Sequence, residues 1–172
     1  IPQHHKLAGL SVKMSNLCSE ITLPTALDHH GVERTAVCCL SSLNLEKYFE
    51  WHEEEGFIED VMRFLDNVLQ DFIDNAPDSM ARARYSAGRE RSVGLGVMGF
   101  HSFMQANRIP LEGVMAKVWN RKIFKHIREQ ADAASRKLAE ERGPCPDAEE
   151  FGIMERFSNK LAIAPTASIS II

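Results

Sequence analysis

Two stretches of the chain repeat their apolar residues at helical spacing, and they dominate its pattern. In the first, Phe57, Val61, Phe64, Leu65, Val68, Phe72 and Ile73 recur three and four positions apart with Asp and Glu between them. That spacing predicts a long amphipathic helix ending before Pro77. In the second, from Gly113 to Arg142, the inward positions are Val114, Val118, Ile123, Ile127, Ala131, Ala134 and Leu138. Gly143-Pro144 supplies the glycine-then-proline stop. Between the helices the pattern shortens. Residues 15–25 (SNLCSEITLPT) predict a loop leading into a strand closed by Pro24, and residues 35–45 (TAVCCLSSLNL) a buried strand followed by a loop. Residues 26–34 read as a polar turn, 78–92 as a short helix and loop, and 100–107 as the start of another helix. Residues 160–172 (KLAIAPTASISII) predict a buried strand, a tight turn at Pro165 and a hydroxyl-rich loop. Short strands separated by long helices imply an α/β arrangement with strands covered on both faces.

Composition narrows the function classes. The 172 residues are 44% hydrophobic and 26% charged, which is ordinary for a globular chain. The net charge of −4 and pI near 6.0 argue against a surface built for nucleic acid. No apolar run approaches the roughly 20 residues needed to span a bilayer, and no secretory signal opens the chain. A cytoplasmic setting with free thiols is therefore expected. The chain starts at Ile1 and ends on Ile171-Ile172, which reads as a fragment cut from a larger protein.

The four cysteines are Cys18, Cys38, Cys39 and Cys145. Their spacing lacks the paired CxxC units of a structural zinc site. Cys39 and Cys145 fit the role of small buried hydrophobes. His4-His5 and His29-His30 could suggest a metal, but neighbouring side chains on a strand point apart, so no metal site is expected. Gly94-Leu95-Gly96-Val97-Met98-Gly99 satisfies GxGxxG. It lacks both the preceding hydrophobic strand and the acidic residue about 20 positions on that a dinucleotide fold requires. The glycines are better read as permitting tight strand-to-helix packing.

Ser15-Asn16-Leu17-Cys18-Ser19-Glu20-Ile21 holds the densest chemistry. In an extended segment Asn16, Cys18 and Glu20 would share one side. A carboxylate can act as general base, a thiol as nucleophile or hydrogen-atom donor, and an amide as a clamp. A cysteine-based redox or zinc module centred on Cys38 and Cys39 is the competing reading. Pro165-Thr166-Ala167-Ser168-Ile169-Ser170 has the small hydroxyl composition that lets backbone N–H groups approach an anion, aided by any helix starting there.

Four segments together resemble one family. SNLCSEI is similar to the finger loop of class I ribonucleotide reductase large subunits, and TAVCCLSSLNL resembles their strand carrying a redox-active cysteine. RSVGLGVMGF and LAIAPTASIS are similar to a further family segment and to the loop holding the substrate phosphates. The resemblance implies part of a ten-stranded α/β barrel, with the finger loop near 15–21, the redox-cysteine strand at 35–45 and the phosphate loop at 164–170. It implies that Cys18 becomes a thiyl radical abstracting the 3′-hydrogen, that Glu20 takes the 3′-hydroxyl proton, and that Asn16 holds the ribose hydroxyls. Cys38 would be one of the two cysteines that end as a disulfide, its partner lying outside this chain. Pro165, Thr166, Ala167, Ser168 and Ile169 would bind the phosphates. Some family members carry Glu where Ala167 stands, which leaves contacts there open. The resemblance further implies a ribonucleoside diphosphate substrate and a homodimeric large subunit. It implies a radical-generating small subunit with a dinuclear metal centre, thioredoxin or glutaredoxin as reductant, and ATP or dNTP effectors. No cofactor is expected on this chain itself, and the isolated chain is expected to have no turnover.

Overall fold

The computed structural model describes residues 1–171, so Ile172 lies outside the described residues. The helices are α1 (Gln3–Leu7), α2 (Tyr48–Trp51), α3 (Phe57–Asn75), α4 (Ala81–Glu90), α5 (Phe100–Ala106), α6 (Val114–Arg142) and α7 (Pro146–Glu149). Two strands, β1 (Leu40–Asn44) and β2 (Gly94–Met98), pair in parallel with Leu40 opposite Gly94 and Asn44 opposite Met98. A third extended segment pairs along the other edge of β2. Leu95 N–H donates to the Lys160 carbonyl, and Ala162 N–H donates to that of Leu95. The sheet is open, one part of a barrel rather than a closed one.

Alternation along the strands sorts residues to two faces. Leu43, Leu45, Leu95 and Val97 join a core with Met62, Leu65 and Leu69 of α3 and Ile123, Ile127 and Leu138 of α6. Leu40, an odd step from Leu43, packs instead with Ile21, Leu23 and Ala162. Helices cover the outer face, and irregular chain covers the inner one.

Both long helices form where periodicity placed them, but their buried stripes are shifted. In α3 the buried positions are Ile58, Met62, Leu65, Asp66 and Leu69, while Phe64 and Val68 are 62% and 44% exposed. Apolar residues sit on adjacent faces of this helix, and periodicity cannot choose between two such stripes. Pro77 sets the stop by forcing Ala76 to an extended ψ of 137°. In α6 the inward residues Ile123 to Leu138 are buried, but Val114 and Val118 are exposed, because the face that meets the core in the first turns is that of Ala116.

The expected strands at 21–25 and 35–39 are extended without a ladder. β1 starts only at Leu40 because its partner β2 starts at Gly94. The glycines also differ from expectation. Gly94 and Gly96 lie within β2 itself, facing the segment that runs to Pro165, so they permit strand-to-strand rather than strand-to-helix approach. A Cβ on Gly94 would come within 2.8 Å of the Ala162 Cβ, and one on Gly96 would overlap the Ala162 carbonyl. Gly96→Ala is expected to cost about 1–3 kcal/mol by overpacking. Faster hydrogen exchange of residues 160–163 in the full-length protein would show it, and unchanged exchange would contradict this packing.

Buried ion pairs lock the helices together. Asp66, fully buried on α3, accepts from Arg91 at 2.6 Å, Arg142 at 2.8 Å and Arg156 at 3.0 Å. Arg34 forms a two-pronged pair with Asp147 (2.8 and 2.9 Å) and donates to Asp28 at 2.8 Å. Glu90 is buried with one hydroxyl partner, Ser92, and burial pushes its carboxyl up to about 8, so it stays largely neutral at pH 7. No described helix is long and apolar enough to cross a membrane.

Candidate functional site

The segment carrying Asn16, Cys18 and Glu20 is a tight loop rather than the extended run whose alternation would align them. Ser19 N–H donates to the Asn16 carbonyl at 3.0 Å, and Ser19 takes a left-handed φ of 59°. Asn16 closes the loop a second time, because its Oδ1 accepts from Ile21 N–H at 3.3 Å. The Asn16 amide nitrogen stays available for another acceptor. Ile21 and Leu23 anchor the base of the loop in the inner-face cluster, while Leu17 at the tip is fully exposed and Cys18 is exposed.

Three chemically active groups still converge. The Cys38 thiol is pushed up chiefly by burial, and then by the nearby Glu20 carboxylate and Cys18. One Glu20 oxygen is buried without a hydrogen-bond partner. An orphaned buried carboxylate oxygen is costly, and a ligand hydroxyl would satisfy it. Asn16 and Cys38 share the walls of an open cleft of about 420 Å³, together with Ser15, Arg34, Thr35 and Ala36. The approach to Cys38 is held firmly, since Arg34 is clamped as described and Thr35 N–H donates to Ser86 Oγ at 2.8 Å.

Cys39 points to the helix side and donates weakly to the Leu65 carbonyl at 3.7 Å. Cys145 is fully buried beside Ser158, with sulfur and oxygen 3.5 Å apart. Both are buried, as expected of small hydrophobic side chains. All four cysteines are free thiols.

Thr166, Ala167, Ser168 and Ile169 line a second, smaller cleft with Leu40, Ser41, Ser42 and Ala164; Pro165 precedes it at the turn. Thr166 adopts a left-handed φ of 55°, and the chain then enters a short 3-10 turn, Ile169–Ile171. The expected helix start is thus a single turn, which adds little dipole. Ser41 and Ser42 were not singled out from the sequence. Two hydroxyls interrupting the otherwise apolar run VCCLSSL were the available signal. One stretch of chain therefore connects both clefts, with Cys38 at the first and Leu40 to Ser42 at the second.

The histidine pairs behave differently from expectation at residues 29–30. His29 and His30 sit on a turn rather than a strand, so their rings come together, 4.0 Å apart, and both reach Glu150. His4 and His5 are buried on α1. His4 pairs with Ser158 at 2.8 Å, and burial lowers its imidazole to about 4, so it is neutral.

Parallel strands with helices on one side, and the segments of Cys18, Glu20 and Cys38 on the other, are the geometry of an α/β-barrel segment. The family model for the ribonucleotide reductase barrel domain matches residues 2–152, and the chain belongs to this family. It is 47% identical over all of its length to the ribonucleoside-diphosphate reductase large subunit of Invertebrate iridescent virus 3, covering 26% of that protein. A putative large subunit of Frog virus 3 is 46% identical over 97% of the chain, which spans 29% of it. Among solved structures, the Actinobacillus ureae class Id ribonucleotide reductase alpha subunit superposes with a TM-score of 0.89 at 36% identity. That match covers 98% of this chain and 31% of the other. The chain thus spans 26% to 31% of the length of these three proteins.

Proposed function

We propose that this chain is the part of a ribonucleoside-diphosphate reductase large subunit that carries the finger loop, one reducing cysteine and the phosphate loop. The observation that carries this reading is the cleft that Asn16 and Cys38 line together on the inner side of the sheet, with Cys18 and Glu20 near enough to act on the Cys38 thiol. Cys18, as a thiyl radical, takes the 3′-hydrogen of the ribose. Glu20 accepts the 3′-hydroxyl proton with its unpartnered oxygen, and the 2′-hydroxyl, protonated by one of the reducing thiols, leaves as water. Asn16, its oxygen committed to the loop, offers its amide N–H groups to the ribose hydroxyls.

Reduction of one ribose needs two electrons. Cys38 and a second cysteine outside this chain supply them, two thiols becoming one disulfide while C–OH becomes C–H. Cys38 is exposed, yet partial desolvation and the neighbouring negative charge raise the pKa of its thiol, which suits a hydrogen donor more than a resting nucleophile. A thioredoxin or glutaredoxin restores the pair by thiol–disulfide exchange. Pro165 to Ile169, with the β1 hydroxyls opposite, receive the diphosphate. A small subunit with a dinuclear metal centre supplies the radical, ATP and dNTP act on the full homodimer, and the free thiols suit a cytoplasmic enzyme serving DNA replication. Cys18 is exposed here, so the shielding a radical requires comes from the remainder of the barrel.

The competing zinc or disulfide module finds no support in the geometry. Cys38 and Cys39 face opposite sides of their segment, and no cysteine belongs to a metal-competent cluster among the described residues.

The test is a thiol count on the prereduced full-length enzyme before and after a single turnover with its small subunit. Wild type should lose two thiols per deoxynucleotide formed. Cys38→Ser should lose none and form no deoxynucleotide, and an unchanged loss of two thiols would refute the assignment.

A further inference from the structure

The polar excursion at 26–34 and the end of α7 bring together a cluster that the reduction chemistry leaves unused. His29 Nε2 lies 2.7 Å from one oxygen of Glu150, and His30 Nε2 lies 2.9 Å from the other. The two imidazole nitrogens and the carboxylate lie within 4.8 Å of one another. Four-coordinate zinc with bonds of about 2.0–2.2 Å places its donors roughly 3.3–3.6 Å apart, so small side-chain rotations bring these three groups into its shell, with a fourth position for water. We infer that His29, His30 and Glu150 form a surface binding site for a divalent cation of the zinc type.

Both halves of the site are held in place before any ion arrives. The turn is closed by Gly31 N–H donating to the Asp28 carbonyl at 2.9 Å, while Asp28 Oδ1 accepts from His30 and Val32 N–H at 3.0 Å. Asp28 is itself fixed by Arg34 at 2.8 Å and Tyr85 at 2.9 Å. This geometry is why adjacent histidines share a side here, which no strand would allow. Opposite them, Glu150 caps α7, a helix pinned through Asp147 to the same Arg34.

Two imidazoles and one carboxylate are borderline nitrogen and hard oxygen donors, the set that takes Zn²⁺ with water completing the shell. The Glu150 carboxylate already sits between the two imidazoles and the Arg89 guanidinium. Arg89 is the resident competitor, its guanidinium donating to Glu150 and lying 3.2 Å from His30 Nε2. It has a second anchor, because its Nε donates to Asp147 at 2.9 Å. An arriving cation can take over Glu150 while Arg89 keeps Asp147. The bound ion would staple the 26–34 excursion to α7, next to the clamp that holds the approach to Cys38.

The test is equilibrium dialysis of Zn²⁺ against the full-length large subunit, its accessible thiols first alkylated so that cysteines do not compete. Glu150→Gln, His29→Ala and His30→Ala are made in parallel. All three residues are part-exposed, and a melting curve without zinc checks each fold. The expected result is one zinc equivalent in wild type, bound at least tenfold more weakly in every variant. Equal zinc binding by wild type and all three variants, or none by wild type, would overturn the site. Neither outcome touches the proposed reduction chemistry, which uses none of these residues.

Discussion

Asp66→Ala is expected to remove about 3–5 kcal/mol from the local stability of α3 and α6, a loss typical of breaking a buried ion pair from one side. The expectation follows from what surrounds the carboxylate. Asp66 has no solvent exposure, and Arg91, Arg142 and Arg156 all direct guanidinium groups at it. With the carboxylate gone, Arg91 and Arg156 would be left buried and without their counter-charge. Hydrogen exchange on the full-length protein reads this directly. Peptides spanning 57–75 and 114–142 should lose protection about a hundredfold or more, as a few kcal/mol requires. Unchanged protection would mean that the arginines find other partners and that this hub does not hold the helices.

The same carboxylate predicts a pH dependence with a definite sign. Burial alone would raise the Asp66 carboxyl, but hydrogen bonds from Arg156 and the charge of Arg91 outweigh it and hold it below its usual value. A depressed folded-state pKa contributes stability that is present above the unfolded pKa, near 3.9. That contribution disappears as pH falls below this value towards the folded one. Asp147 is depressed as well, against burial, by the His5 imidazole 3.4 Å away, by hydrogen bonds from Arg34 and by the charges of Arg34 and Arg89. Acid should therefore loosen α3, α6 and α7 together, and Asp66→Ala should flatten part of that acid limb.

Much of this was readable in the sequence, and the failures have identifiable causes. Helix periodicity located α3 and α6 because each buries a continuous apolar stripe. It misassigned the inward face of α3, where Phe64 and Val68 are as apolar as the buried Met62 and Leu65. β1 was anticipated too long, since a ladder extends only as far as its partner, and Cys38 precedes the first paired residue. Side-chain alternation failed at Cys18 because Ser19 turns the chain through a left-handed conformation that serine seldom adopts. It failed again at His29-His30, because these residues lie on the turn read at 26–34, where strand alternation does not apply. Neither the Asp66 hub nor the Arg34–Asp147 clamp could be read locally, because their members are 25 to 113 positions apart. The candidate chemistry at Asn16, Cys18, Glu20 and Cys38 was legible only because whole segments resemble a family. Composition and spacing alone left it open.

The central claim is that Cys18 performs the hydrogen abstraction. Its thiol stands at the tip of a loop built by two Asn16 hydrogen bonds and anchored by Ile21, so serine fits the same place with nearly the same shape. An oxygen-centred group at that position cannot take over the role of a thiyl radical, so the loss should be near complete and not a fractional slowing. The most direct measurement is reduction of a ribonucleoside diphosphate by the full-length large subunit with its small subunit, comparing wild type with Cys18→Ser. Substrate binding and the exchange protection of residues 21–23 serve as controls for the fold. The expected result is no deoxynucleotide above background from a Cys18→Ser protein that is folded and binds substrate as wild type does. Turnover by Cys18→Ser at a wild-type rate would contradict the account and return Cys18 to an ordinary surface cysteine.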